Sequence, residues 1–198
     1  MEFAAEDKSL SMQGMKAHSG QDNSAAAAAP AANVATNEGL LATDATPQQF
    51  CSELSKLFRV RSSEVALFRL DGGMLKFLFP EELKTAGTIP LSSSSAIAAH
   101  TAISKKLELF NNFPRVKHAS IFETVKLKQQ SEQPDPLTIQ KLISGPVLDA
   151  QGKVLGVLQV CRKGFDLLSA GPDFSLGDLQ QLERATKALA KAPFMKTS

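Results

Sequence analysis

Two cysteines and three histidines are the side chains best suited to nucleophilic, redox or metal chemistry near neutral pH, and their spacing limits what they can do. Cys51 and Cys161 lie far apart, and neither belongs to a CxxC pair. That arrangement gives no zinc-ligand spacing and no disulfide framework. Brought together by folding, the two thiols could cycle through a disulfide; left in their apolar-patterned segments, each reads as a small buried core residue. His18, His100 and His118 form neither an HExxH motif nor an i, i+4 pair, so no metal site is expected. His100 falls in a helical segment, where it either faces a pocket or sits at the surface. The serine run 92–95 belongs to no GxSxG elbow and has no acid–base partner beside it. It reads either as a helix cap or as hydroxyls and amides that meet a ligand. Asp71 and Asp149 stand in glycine-containing turns and are read as hairpin residues rather than general acids. The sequence is therefore read as non-enzymatic.

The periodicity of apolar residues supplies the elements that position these side chains. Residues 1–45 mix Gly, Ser, Asn, Ala and Pro with little to bury, and a disordered low-complexity tail is expected there. A helix should start at Thr46, with Pro47 in its first turn and Gln49 three residues after the cap. Phe50, Leu54, Leu57 and Phe58 recur on one face of it. Segments 65–70 and 74–79 flank Asp71-Gly72-Gly73 and should pair as a hairpin. A third strand over 87–91 leads to a helix carrying Ile97, Ala98 and Ile103, then a short strand over 107–110. A helix over about 120–128 and an exposed connection over 129–136 follow. Strands over 142–148 and 154–160 flank the turn 149–153. Ser175 and Asp178 open a last helix with Leu179, Leu182, Ala185 and Leu189 on one face. This order describes an α+β domain over 46–192, with a short tail at 193–198.

The stretch ISGPVLDAQGKVLGVLQVCRKG, followed by FSLGDLQQLERATKALA, resembles the C-terminal half of a GAF domain, and TIPLSSSSAIAAHTAISKK resembles its upstream strand and helix. The resemblance implies a central antiparallel sheet of about six strands flanked by helices. It also implies a signalling or sensory role, in which a small molecule or a partner protein is bound and the state is passed on by protein contact. In that fold the pocket lies between the sheet and segment 92–128. Phe68, Phe77, Phe79, Ser94, His100, Phe113 and Phe122 are then its candidate lining, or the phenylalanines fill the space as core. Cyclic-nucleotide-binding members carry an Asn-Lys…Phe…Asp-Glu signature. Here Lys163, Phe174 and Asp178 match it, whereas Arg162 and Leu179 depart from it and speak against that ligand. A Lys163–Asp178 pair would tie a loop to the last helix. Neither His100 nor His118 has the neighbouring cysteine that bilin-binding members use. The methionine sulfoxide reductase branch uses several cysteines around its pocket, and only two are present. No cofactor is named by these residues.

The charge distribution narrows the partners. Residues 1–45 hold two Lys/Arg against six Asp/Glu, and residues 46–198 hold 20 against 14. A mildly basic domain suits an anionic ligand or partner, or simply a soluble surface. The 12 phenylalanines, with no Trp or Tyr, are not interleaved with a dense basic run, so no nucleic acid is expected. No run of 18 apolar residues and no export signal are seen, so a cytoplasmic protein that does not span a membrane is expected. With no effector segment after the last helix, output should pass through a protein partner or a homodimer. A ligand-free interaction module is the competing reading.

Overall fold

The computed structural model describes residues 45–85, 87–93, 95–116 and 137–196. The expected tail before residue 45, the expected helix near 120–128, and Ser94 and Phe122 lie outside them.

Both longer helices begin where a side chain satisfies the first free amides of the helix. In α1 (Pro47–Phe58) the Gln49 amide N–H donates to Thr46 Oγ1 at 3.2 Å, while the Thr46 N–H donates to Gln49 Oε1 at 2.9 Å. α1 stops at Arg59, whose left-handed backbone (φ 52°) lets its N–H return to the helix carbonyls. The last helix repeats this start with the reciprocal Ser175 and Asp178 bonds; it spans Leu176–Leu189 and is α3. The middle helix, α2 (Ile97–Ser104), has Ala96 at its cap position and no side-chain cap. The serine run therefore does not cap it: Ser95 stands one residue too early, and its hydroxyl meets that of Ser93 instead.

Six strands form a single sheet among the described residues: β1 (Val65–Asp71), β2 (Met74–Phe79), β3 (Thr88–Pro90), β4 (Glu108–Phe110), β5 (Thr138–Leu148) and β6 (Val154–Gly164). Their order is β3-β2-β1-β6-β5-β4, and every neighbouring pair is antiparallel. The Gly72-Gly73 turn has both residues at positive φ, which a side chain would resist. β5 and β6 run further than their apolar patterns suggest, because their polar residues find partners. The register shifts around Gln140, whose amide donates to Thr138 Oγ1 and the Gly164 carbonyl. Lys141, also buried, reaches Asp173 at 2.7 Å and the Gly171 carbonyl at 2.6 Å.

Each face of the sheet carries its own apolar layer. One layer joins α1, α3 and residues such as Leu67, Ile143, Val147 and Leu158. The other joins α2 to Phe68, Leu75, Phe77, Leu142 and Val157. The packed chain continues past residue 192: Pro193–Met195 form a 3-10 turn, and Met195 is fully buried in the α1/α3 layer. Gly156 makes room for it, since a Cβ there would stand 2.6 Å from Met195 Cε and 2.0 Å from the Phe68 carbonyl oxygen.

Candidate functional site

The α2 face contains a line of polar side chains inside an apolar layer. Antiparallel register sets Glu108 on β4 opposite Ser144 on β5, and Ser144 opposite Gln159 on β6. Side chains alternate along a strand, so these three share the face occupied by Leu142, Val157 and Cys161. α2 packs over β5 and β6 and lowers Thr101 onto the row. Thr101, Ser144 and Gln159 are essentially without solvent exposure.

The bonds run in one direction. Gln159 Nε2 donates to Ser144 Oγ at 3.2 Å, and Ser144 Oγ stands 2.7 Å from Thr101 Oγ1. Thr101 Oγ1 contacts Glu108 Oε2, and His100 Nδ1 lies 2.6 Å from Glu108 Oε1. Thr101 Oγ1 also lies 2.9 Å from the Ile97 carbonyl oxygen, so its one proton goes to that oxygen or to Glu108 Oε2, and in either case Ser144 is the donor to Thr101. The chain thus converges on Glu108 from both sides. It starts beneath the helix and ends at His100, whose side chain is 55% exposed. The imidazole contacts the carboxylate of Glu108.

The candidate phenylalanines divide between the two faces. Phe68 and Phe77 pack against each other with ring centroids 4.4 Å apart, and Phe113 meets Phe110 edge-on at 6.3 Å; these belong to the α2 layer. Phe79 belongs to the α1/α3 layer. Plain alternation would set it beside Phe77. A bulge between the Leu67–Phe79 and Phe68–Phe77 pairs gives β2 an extra residue and turns Phe79 to the opposite side. Phe68, Phe77 and Phe113 are buried as packed core.

The signature residues tie the C-terminal loop down by contacts other than the expected pair. The Lys163 ammonium donates to the Ser63 carbonyl at 3.1 Å, and Asp178 caps its own helix. The Arg162 guanidinium covers the ring of Phe174 at 4.7 Å and donates to the Phe58 carbonyl at 3.2 Å. Glu64 accepts from the N–H groups of Arg61 and Lys163 and from the Arg61 guanidinium, each at 2.7 Å. Burial alone would raise the carboxyl pKa of Glu64, but these donors outweigh it and hold the group below its ordinary value.

Cys51 packs in the α1/α3 layer and Cys161 in the α2 layer, so the sheet separates them. Burial pushes the Cys51 thiol far up, away from the reactive thiolate. Among the described residues, no three His, Cys, Asp or Glu side chains are grouped to hold a metal ion, and no helix is long and apolar enough to cross a membrane.

Set beside solved structures, this chain is similar to the GAF domain of Acinetobacter phosphoenolpyruvate-protein phosphotransferase. The TM-score is 0.51 and the identity 15%, over 74% of this chain and 81% of that one. A methyl-accepting chemotaxis protein segment gives a TM-score of 0.52 at 12% identity, over 71% and 82% of the two chains. The chain has a GAF-like fold. Type II free methionine-R-sulfoxide reductase from Thermoplasma acidophilum also matches, with a TM-score of 0.48 at 17% identity over 72% of this chain and 86% of that one. No family model and no curated protein matches the sequence.

Glu108, Thr101, Ser144 and Gln159 escape the search for motifs because they come from four separate elements. One signal for two of them is in the sequence: Ser144 and Gln159 interrupt the otherwise apolar stretches 142–148 and 154–161. A polar residue buried there needs a partner.

Proposed function

We propose that this GAF-like domain is a non-enzymatic sensory module that binds a small polar molecule at the His100–Glu108 end of the α2 face and passes its state on by protein contact. The observation that carries this reading is the hydrogen-bonded line from Gln159 to half-exposed His100. A ligand group that takes Glu108 or His100 as its partner would reorient Thr101 and Ser144, and with them the seating of α2. Such a shift needs differential affinity for the two hydrogen-bond arrangements, which a polar ligand at Glu108 supplies. The buried, sheet-separated cysteines favour this over a thiol-based reductase.

Native mass spectrometry of the purified full chain, before and after mild denaturation, tests the reading. An adduct released on unfolding, or a metabolite that raises the Tm of the native protein but not of Thr101→Val, is the expected result. A bare mass together with identical Tm responses of both proteins to a panel of polar metabolites would overturn it and leave the ligand-free interaction module.

A further inference from the structure

The opposite side of the molecule's C-terminal loop holds a second feature. An open cleft of about 510 Å³ lies between the end of α1, the end of β6 and the loop that follows. Arg59, Arg61, Arg162 and Lys163 line it, with Glu64 as the one carboxylate among its lining residues. Glu64 is already saturated by Arg61 and Lys163. Three cations are held in place by the fold. Arg61 donates to Glu64 and the Lys163 carbonyl, Lys163 donates to Ser63, and Arg162 lies between Phe174 and the Phe58 carbonyl, its Nε buried with no partner among the described residues. Arg59, the left-handed residue that ends α1, is exposed at the mouth of the cleft.

The rim adds apolar surface. The loop after β6 presents Phe165 at 69% and Leu168 at 90% exposure. Reciprocal bonds shape the loop: Asp166 Oδ1 accepts from the Ser169 N–H at 2.7 Å and Ser169 Oγ accepts from the Asp166 N–H at 3.0 Å. Two large apolar side chains held in water beside an excess of fixed positive charge mark an interaction surface.

We propose that this cleft docks an acidic segment of a protein partner, whose carboxylates pair with Arg59 and Arg162 while an apolar side chain covers Phe165. The inference names the partner chemistry for the contact assumed in the proposed function and rests on that reading of the domain as one that passes its state on by protein contact. Charge complementarity sets the sign of the partner. The concave placement of the cations favours a peptide chain that can enter over a flat anionic membrane, which would meet only the loop tip. The apolar rim favours a peptide over a free small anion.

The test uses the full chain and a fluorescein-labelled peptide of about twelve residues, rich in Asp and Glu around a central Phe-Leu, with its Lys-substituted counterpart as control. Anisotropy should report saturable binding of the acidic peptide only, weakened by salt. Arg59→Glu and Phe165→Ser alter exposed side chains and leave the packing intact; each should weaken binding about tenfold. The titration is run on the unmodified chain with no small molecule added, so failure of ligand sensing and failure of this docking site are separable. No saturable binding, equal binding of the Lys peptide, or indifference to Arg59→Glu would overturn the proposal. So would full competition by inorganic phosphate, which would mark a small-anion site, or tighter binding to phosphatidylserine vesicles, which would mark a membrane contact.

Discussion

The two faces of one sheet are built by different rules. On the α1/α3 face, both helices carry complete capping boxes, and the buried hydroxyls of Ser55 and Thr186 are satisfied by carbonyls of their own helices. The layer between helix and sheet is otherwise largely apolar, with Lys141 at its end and Arg69 donating to the Phe194 carbonyl. On the α2 face, an eight-residue helix without a side-chain cap sits over a line of side chain-to-side chain hydrogen bonds, and Thr101 joins that line in addition to its contact with the Ile97 carbonyl of its own helix. Apolar packing is non-directional and tolerates small adjustments, whereas a polar line has discrete hydrogen-bond arrangements. The first face suits a scaffold, and the second suits a switch.

The sharpest way to break the scaffold face is Gly156→Ala. Its Cβ would meet the Phe68 carbonyl and Met195 at once, and the backbone on that side cannot yield. A loss of about 3 kcal/mol in urea unfolding is expected. If stability is retained, the C-terminal turn is not packed where Met195 places it.

On the switch face, Thr101→Val keeps the shape but leaves Glu108 and Ser144 without their shared partner. A cost of about 2 kcal/mol is expected. A double-mutant cycle with Ser144→Ala should show coupling of about 1 kcal/mol between the two sites. Simple additivity would dismantle the idea of a connected line.

The caps distinguish the faces more gently. Ser175→Ala should cost about 1 kcal/mol, because it frees the Asp178 N–H. Ser95→Ala should stay within about 0.5 kcal/mol, since Ser95 caps nothing. Equal costs would mean that α2 is capped after all.

The smallest expected effect is on pH. The folded Glu64 pKa is depressed, so in the window just below the unfolded value the unfolded chain binds more protons. Its contribution is therefore present above about pH 4.3 and is lost as pH falls through the lower folded value. Glu64→Gln should remove less than one proton from the acid-side slope of stability against pH. An unchanged slope would show that the Arg61–Glu64–Lys163 tie is not formed.

The sequence alone determined the caps at Thr46 and Ser175, the Gly72-Gly73 hairpin, the β5–β6 hairpin and the strand-and-helix order that resembles a GAF domain. Each of these is a local device, in which residues a few positions apart satisfy one another or a turn demands a glycine. Only the tertiary structure decided the rest. A one-residue bulge turned Phe79 away from Phe77, because a period of two reverses whenever a residue is inserted. The cysteines were parted by the sheet, and Lys163 found Ser63 rather than Asp178. His100, Thr101, Glu108, Ser144 and Gln159 became one line only when strand register aligned three of them and α2 was laid across the row. Contacts between residues 43 apart, such as Thr101 and Ser144, leave no local trace, since only the closure of the intervening chain brings them together.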